Sequence, residues 1–257
     1  MESFTGRIAV VTGGASGMGR EIVRQLAADG CHVAMCDLSV EEMEETRRLA
    51  LADAPDGTII TTHVCDVANE ASMIAFRDAV VEQHRIDHVD LLFNNAGIAG
   101  GGSVIADPRE TWERTFNVCW GGVYLGVRTF MPLVIAASDA HIVNTSSVNG
   151  FWASIGPDRP HTAYSAAKFA VKGFSEALIT DLRVNAPHVK VSVVMPGHIG
   201  TWIVSNSLRH GVHEAEVEAA EMVKLMSAMF RDQAPMTAAE AATEILYGVR
   251  AGRWRSL

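Results

Sequence analysis

Short apolar runs of strand length alternate along this chain with longer stretches whose apolar residues recur every three or four positions. The strand-like runs lie at residues 8–12, 32–36, 59–64, 91–94, 142–145 and 190–195. Helical patterns occupy residues 19–29, 40–52, 70–84, 110–136 and 163–184, with Pro132 expected to bend or end the fourth. Strands that are apolar on both faces and are separated by crossover helices form a parallel sheet covered on both sides. The alternation therefore predicts an α/β protein with three layers, helix on sheet on helix.

Right-handed crossovers arrange such a sheet as a doubly wound Rossmann fold. A chain of 257 residues fits one such domain, and we find no repeat or linker that would divide residues 1–257. Residues 202–235 break the alternation and read as two helices. One carries an apolar stripe that suits a packed core helix or a substrate lid equally well: Met222, Leu225, Met226 and Met229. Its place after the carboxyl end of a strand favours the lid, because ligands bind at that edge of open α/β sheets.

Charge and composition exclude several classes of protein. The net charge of −9 repels phosphate backbones, so nucleic acid is not the expected partner. No apolar run approaches the ~20 residues that cross a bilayer, and the N-terminus lacks a signal-peptide pattern. The four cysteines have no metal-ligand spacing and are expected to be reduced, which fits a cytoplasmic location. His84 and His88 are four apart, but no carboxylate–histidine cluster accompanies them, so we expect no metal.

A glycine-rich turn follows the first predicted strand and leads directly into the first predicted helix. It runs from Thr12 to Gly19 with the spacing Gly-x-x-x-Gly-x-Gly. Glycines permit a tight turn and let the backbone approach a diphosphate, to which the helix N-terminus offers free N–H groups. A plain strand-to-helix turn can look the same, so the turn needs supporting context. Its candidate cofactor-binding residues are Gly13, Ser16, Gly17, Met18 and Gly19.

Asp37 supplies that context, because it ends the second predicted strand 18 residues after Gly19. An acidic residue at about this distance accepts hydrogen bonds from an adenosine ribose and repels the extra phosphate of NADP. No basic residue follows Asp37 and Leu38 directly, which favours NAD, with NADP less favoured. The alternative is that Asp37 caps the next helix, a role for which Ser39 competes.

The motifs, taken in order, resemble those of the short-chain dehydrogenase/reductase family, in its compact single-domain type. The resemblance runs from Arg7 to about Pro196. Besides the glycine turn, the motifs are Asp66-Val67, Asn94-Asn95-Ala96-Gly97, Asn117, Ser146-Ser147, Tyr164-x-x-x-Lys168 and Pro196-Gly197-x-x-x-Thr201.

The resemblance implies a cofactor site formed from several of these motifs. Asp66 and Val67 would flank the adenine, and Asn95, Ala96 and Gly97 would form the floor beneath the cofactor. The same asparagine motif also stabilises the central sheet in such proteins. Thr201 would contact the nicotinamide carboxamide, within a loop that also contains Pro196, Gly197 and Ile199.

Tyr164 and Lys168 are four residues apart on a predicted helix, so their side chains share one face. A phenol with a pKa near ~10 is a poor base at neutral pH, and a nearby ammonium favours its ionised form. The predicted reaction is hydride transfer between NAD and a secondary alcohol or ketone. Tyr164 would transfer the proton, and Ser147 would hold the substrate oxygen. By the resemblance, Asn117 would position a water next to Lys168.

Three alternatives remain beside this interpretation. Ser146 competes with Ser147 for the catalytic role. Ser147 as an acyl-transfer nucleophile lacks the Gly-x-Ser-x-Gly pattern around it. A dinucleotide-binding sensor or assembly protein of the same fold is the stronger rival, although such proteins usually lose the tyrosine or the lysine.

The predicted substrate pocket is apolar and aromatic, which suggests a hydrophobic, alicyclic or steroid-like substrate. Its candidate residues are Ser147, Phe151, Trp152, His198 and Trp202, with Ile203, Met226 and Met229 as further candidates. His198 fits a plain loop residue as well. The gap of 17 residues between Ser147 and Tyr164 is longer than the family's usual separation, and the extra turn at residues 157–161 is expected to project at the pocket mouth. We expect a homodimer or homotetramer built on the fourth and fifth helical patterns, and a final strand that is short or cut off.

Overall fold

Nine strands account for the sheets of the computed structural model, which describes residues 1–100, 102–154, 160–207 and 217–256. The strands are β1 (Ile8–Thr12), β2 (His32–Asp37), β3 (Ile60–Val64), β4 (Leu91–Asn94), β5 (Ala140–Thr145), β6 (Val189–Val194), β7 (Ile199–Gly200), β8 (Met236–Thr237) and β9 (Arg255–Ser256). Seven form one parallel sheet in the order β3-β2-β1-β4-β5-β6-β9, and β7 pairs with β8. The chain order reverses between β1 and β4, which places the expected ligand crevice at their carboxyl ends.

Helices cover both faces of this sheet, which confirms the three-layer α/β fold. They are α1 (Gly17–Ala28), α2 (Val40–Asp53), α3 (Glu70–His84), α4 (Arg109–Phe116), α5 (Gly122–Ala136), α6 (Thr162–Asn185), α7 (Ile203–Ser207), α8 (Val217–Asp232) and α9 (Ala238–Arg250). Successive residues of each strand face opposite sides. Val11 and Phe93 therefore pack with α1 and α9, whereas Val10 and Leu92 pack with α3, α5 and α6.

The fourth helical pattern differs from the expectation of one continuous helix. A π-helical turn, Asn117–Gly121, separates α4 from α5, and the N–H of Gly122 donates to the carbonyl of Asn117 five residues earlier. Pro132 lies inside α5 without ending it. The interruption escapes a sequence pattern because a π turn inserts one residue without any distinctive residue type.

The combined run Arg109–Ala136 is long and apolar enough, by length and composition, to cross a membrane. The sequence predicts one helical pattern over residues 110–136, but no apolar run of membrane-spanning length was expected there. In the structure half of the apolar window is buried, and Val127, Phe130 and Val134 pack in the core. The core helix of a folded domain meets the same criteria, so the run is weak evidence for a membrane span.

A close contact between α5 and the end of β4 provides a test of the packing. A methyl group at Gly126 would lie 2.0 Å from Oδ1 of the buried Asn94. We expect Gly126→Ala to destabilise the fold by about 1–3 kcal/mol, because overpacking forces the neighbouring groups apart. Thermal unfolding should show this as a midpoint lower by several degrees.

The matched control is Gly173→Ala on α6, where nothing lies within 4 Å of the added methyl. That variant should unfold at the wild-type midpoint or slightly above it, because alanine favours helix over glycine. Equal midpoints for the Gly126→Ala variant and the wild type would refute this account of the α5–β4 contact.

Candidate active site

The glycine turn lies between β1 and α1 and is tied to the neighbouring strand. The N–H groups of Gly13 and Gly14 both donate to the carbonyl of Cys36, at 2.9 and 3.1 Å. Gly13 has a φ of +69°, and a Cβ at Gly19 would lie only 1.9 Å from the carbonyl oxygen of Gly13. No side chain fits at either position, so the turn keeps an open backbone surface at the start of α1.

Hydrogen bonds from Asn95 fix the position of this turn. Thr12 Oγ1 accepts the N–H groups of Asn95 and Ala96 at 3.0 and 3.1 Å. The amide of Asn95 also donates to the carbonyls of Thr12 and Gly13, at 3.1 and 3.3 Å. The asparagine motif therefore links the end of β4 to the end of β1 and fixes the glycine turn above the sheet.

Asp37 lies at the end of β2 and braces the same turn. Its carboxylate accepts the N–H of Ala15 at 3.1 Å and that of Leu38 at 2.7 Å. The cap of α2 belongs to Ser39, whose hydroxyl accepts from Glu42 N at 3.4 Å. Ser39, rather than Asp37, is thus the capping residue, and the Asp37 carboxylate faces the cleft beside the turn.

A cleft of about 910 Å³, open solvent at its mouth included, runs along the carboxyl edge of the sheet. Most of the predicted cofactor residues line it: Gly13, Ser16, Gly17, Met18, Asp37, Leu38, Asp66, Val67, Asn95, Ala96, Gly97 and Thr201. Trp202 and Ile203 line it as well. The cleft thus brings together side chains from the ends of β1, β2, β3 and β4.

Several lining residues escape the sequence analysis, namely Glu42, Cys65, Ile98, Arg114, Val118 and Asn206. Arg114 is the most consequential, since its Nη1 contacts both carboxylate oxygens of Asp66 at 3.0 and 2.7 Å. These two residues are 48 positions apart, and only the fold reveals the pair. The guanidinium fixes the orientation of the Asp66 carboxylate at one end of the cleft.

Other predicted cofactor residues lie outside the cleft lining. Gly19 is buried behind the turn, and Ile199 is buried where β7 pairs with Met236. Gly197 is exposed. The carbonyl of Pro196 accepts the N–H of Val148 at 2.9 Å, which joins this loop to the segment after β5.

Tyr164 and Lys168 share one face of α6, as their spacing predicts. The Nζ atom of Lys168 lies 5.4 Å from the centre of the Tyr164 ring and donates to the carbonyl of Thr145 at 2.8 Å. Lys168 is 2% exposed, and its burial lowers the pKa of the ammonium. The hydrogen bond to Thr145 thus holds the Lys168 ammonium next to the Tyr164 ring on α6.

Burial raises the pKa of the Tyr164 phenol well above its ordinary value, and the neighbouring Cys119 thiol acts in the same direction. A hydrogen bond with Ser147 lowers the pKa of the phenol but only partly offsets the burial. From the sequence we expected the neighbouring ammonium to lower this pKa. The direction in the structure is the opposite, because burial disfavours the charged phenolate, and the phenol is therefore protonated at neutral pH.

The two adjacent serines have different surroundings. The Ser146 hydroxyl donates to the carbonyl of Lys168 at 2.7 Å and is buried inside the fold. The Ser147 hydroxyl accepts from Asn149 N at 3.2 Å, lies 3.3 Å from the Pro196 carbonyl and interacts with the Tyr164 phenol, whose pKa it lowers. Ser147 is therefore the serine adjacent to the phenol, and Ser146 anchors the backbone of α6.

Asn117 is the first residue of the π turn, and it is exposed.

The predicted substrate-pocket residues lie mostly at the surface. Trp152 is 70% exposed and Phe151 49%. His198 is exposed, and its Nε2 lies 2.5 Å from the carbonyl of Phe230, so it contacts the end of α8. The Arg231 guanidinium lies over the Trp202 ring, with its Cζ atom 4.2 Å from the ring centre.

The short helix α7 lies over the mouth of the cleft. Asn206 Nδ2 donates to the Ser16 hydroxyl at 2.8 Å, and the Ser207 hydroxyl accepts the N–H of Ala99 at 2.7 Å. On α8, Leu225 and Met229 are exposed, whereas the side chains of Met222 and Met226 lie outside the described residues. So do residues 157–159 of the predicted turn and residues 208–216 of the insertion.

The cysteines and histidines were considered as metal ligands. Cys31, Cys36, Cys65 and Cys119 are all free and buried. Within the described ranges, no group of three or more histidine, cysteine, aspartate or glutamate side chains is arranged to hold a metal ion.

Comparison with known proteins places the chain in a family. A family model described as short chain dehydrogenase matches residues 7–210. The chain is 40% identical over 207 residues to the oxidoreductase SadH of Mycobacterium tuberculosis, covering 80% of this chain and 72% of that protein. It is 32% identical over 223 residues to levodione reductase of Leifsonia aquatica, covering 85% of this chain and 79% of that protein.

Solved structures agree with this placement. A short-chain dehydrogenase/reductase from Burkholderia phymatum in complex with NAD has a TM-score of 0.85 and 29% identity, over 99% of this chain and 89% of that one. A metagenomic short-chain oxidoreductase in complex with NADP has a TM-score of 0.66 and 29% identity, over 88% of this chain and 92% of that one. The fold, the cleft and these matches together show that the chain belongs to the short-chain dehydrogenase/reductase family of oxidoreductases.

Proposed function

We propose that this oxidoreductase transfers a hydride between NAD(H) and a secondary alcohol or ketone, with Tyr164 as the proton-transfer residue. The observation that carries the proposal is the cluster of Ser147, Tyr164 and Lys168 next to the cleft. The Lys168 Nζ atom lies 3.6 Å from the position that a Cβ would take at Gly97, and Gly97 lines the cleft that starts at the glycine turn and includes Asp37. The similarity to levodione reductase supports a carbonyl group as the reacting centre.

The cleft suits a dinucleotide on geometric grounds. A Cβ at Gly13 would lie 2.8 Å from Cα of Ala96, and one at Gly17 would lie 3.2 Å from Cγ2 of Thr201, so the glycines keep a narrow channel open. The N-terminus of α1 faces this channel and favours a diphosphate. When bound, the dinucleotide supplies the nicotinamide carbon that gives or takes the hydride.

Residues along the cleft would hold different parts of that molecule. Ser16 and Gly17 would hold the diphosphate, Asp37 the adenosine ribose, and Asp66 the adenine. Thr201 is assigned to the nicotinamide end, and Lys168 to the nicotinamide ribose. Residues 1–257 act as one dinucleotide-binding and catalytic unit in this proposal, with residues 202–235 as its substrate-binding insertion.

The proton chemistry follows from the environment of the phenol. In ketone reduction, Ser147 donates a hydrogen bond to the substrate oxygen, and Tyr164 gives its proton to the alkoxide that develops there. The raised pKa of Tyr164 keeps the phenol protonated, which is the form this step requires. In alcohol oxidation the Lys168 ammonium, 5.4 Å from the ring centre, favours the phenolate that must accept the proton. Asn117 is assigned to a water that links Lys168 to solvent.

We infer a hydrophobic substrate, of alicyclic or steroid-like shape, because Trp202 and Ile203 line the cleft and Phe151 and Trp152 flank the segment after Ser147. A homodimer or homotetramer is proposed on the exposed aromatic side chains of α5 and α6, Tyr124 and Phe169, which are 42% and 44% exposed. Four free, buried cysteines support a cytoplasmic location.

The Tyr164→Phe variant tests the proton-transfer role. It removes one hydroxyl and leaves the ring in place, so we expect turnover to fall about 10²- to 10⁴-fold, the usual contribution of a general acid or base. Dinucleotide affinity should change little, because Tyr164 does not line the cleft. The measurements are NADH oxidation with a panel of hydrophobic ketones and a fluorescence titration with NADH.

The control is Tyr247→Phe, which changes a tyrosine that is 51% exposed on α9 and should leave both quantities unchanged. Unreduced turnover in the Tyr164→Phe variant would remove the phenol from the mechanism. NADH binding by the wild type without turnover of any ketone or alcohol would favour the sensor or assembly role instead.

The Asp37→Asn variant tests the preference for NAD. The amide retains the carbonyl oxygen that can accept the N–H of Ala15 but removes the charge that repels the extra phosphate of NADP. We expect the ratio of NAD to NADP affinity to fall by about tenfold or more, which corresponds to about 1.4 kcal/mol. Titrations with both cofactors measure this ratio, and Asp56→Asn on an exposed loop is the control. A wild type that prefers NADP would overturn the assignment of Asp37.

A further inference from the structure

His161 lies next to Tyr164 along the axis of α6. It occupies the N-cap position, three residues before Tyr164 and seven before Lys168. At these spacings three side chains follow one another along one helix face. Tyr164 therefore has Lys168 as its neighbour one turn later and His161 as its neighbour one turn earlier.

The imidazole and the phenol form an aromatic pair. Their ring centres are 4.7 Å apart, and their planes are inclined by 32°, which is within the range of stabilising ring contacts. The His161 side chain makes no capping hydrogen bond to α6. Capping therefore does not account for this histidine, whereas the contact with Tyr164 does.

The imidazole acts as a neutral ring at neutral pH. Its partial burial lowers the pKa of His161 below the ordinary value. The ring is thus an aromatic packing partner of Tyr164, and the ammonium of Lys168 remains the cationic group close to the phenol.

The backbone that carries His161 is anchored on the loop after β4 and on α4. Thr162 N and Thr162 Oγ1 both contact the carbonyl of Gly102 at 3.0 Å, and Trp112 Nε1 donates to Thr162 Oγ1 at 2.9 Å. The carbonyl of His161 accepts Ser165 N at 3.0 Å. A ring mounted on an anchored backbone can restrict the ring beside it.

Resting on the proposed function, we propose that His161 is a positioning residue for Tyr164: its imidazole packs on the phenol and keeps the hydroxyl at Ser147. Lys168 cannot do this by itself, because its Nζ is bonded to Thr145 O. Loss of the imidazole would let the Tyr164 side chain rotate about χ1, which moves the hydroxyl away from the substrate oxygen. A displacement of this kind slows turnover without weakening dinucleotide binding.

Three substitutions separate the packing role from other roles. His161→Phe keeps a ring and removes both nitrogens, His161→Ala removes the ring, and His161→Gln keeps most of the length without a ring. We expect kcat to fall about tenfold in the alanine and glutamine variants and to stay within about threefold of wild type in the phenylalanine variant. The KM for NADH should remain unchanged in all three.

A second readout needs no turnover. The chain has three tyrosines, so protein with ¹³C-labelled tyrosine rings gives few signals, and Tyr164→Phe identifies the one from Tyr164. The neighbouring ring shifts that signal. The shift should persist in the His161→Phe variant and be lost in the other two. Thermal unfolding at the wild-type midpoint establishes that each variant is folded.

The two readouts distinguish failure of this proposal from failure of the proposed function. If the wild type shows no turnover, the proposed function fails, and the NMR comparison alone tests the contact between His161 and Tyr164. An unchanged Tyr164 signal in His161→Ala, or a wild-type kcat in that variant, overturns the positioning role. A kcat in His161→Phe as low as in His161→Ala also overturns it, since a ring nitrogen would then be the required group.

Discussion

The candidate site depends most on the hydrogen bonds that join Asn95 to the end of β1. Its amide and backbone N–H, together with the N–H of Ala96, engage Thr12 and Gly13. β1 and β4 are neighbours at the point where the strand order reverses. These hydrogen bonds therefore fix the glycine turn beside the crevice at the carboxyl ends of the two strands.

The sequence predicts the sheet well because buried parallel strands are apolar on both faces, and few other structures share that pattern. The glycine turn and Asp37 are predictable for a similar reason, since each is fixed by its distance from a strand end. Side chains that meet across the fold are not predictable in this way. The Arg114–Asp66 pair and the contact of His198 with α8 depend on loop paths that local spacing does not encode.

The pKa of Tyr164 illustrates the same limit in electrostatics. The spacing of Tyr164 and Lys168 places them together, and from that the sequence argument expects a more acidic phenol. It does not reveal how far the phenol is buried, and that burial raises the pKa. Burial and the neighbouring Cys119 thiol both raise the pKa of the phenol, and the interaction with Ser147 offsets them only in part. The different surroundings of Ser146 and Ser147 are likewise visible only in the fold, because the sequence shows two adjacent serines without distinction.

The π turn at Asn117–Gly121 changes the rotational phase between α4 and α5. An α-helix turns by about 100° per residue, so one extra residue rotates everything beyond it by that amount about the axis. As a result, α4 can direct Arg114 towards the cleft while α5 directs Val127 and Phe130 into the interior. In one uninterrupted helix, the regular α-helical spacing alone would have to direct Arg114 towards the cleft and Val127 and Phe130 into the interior.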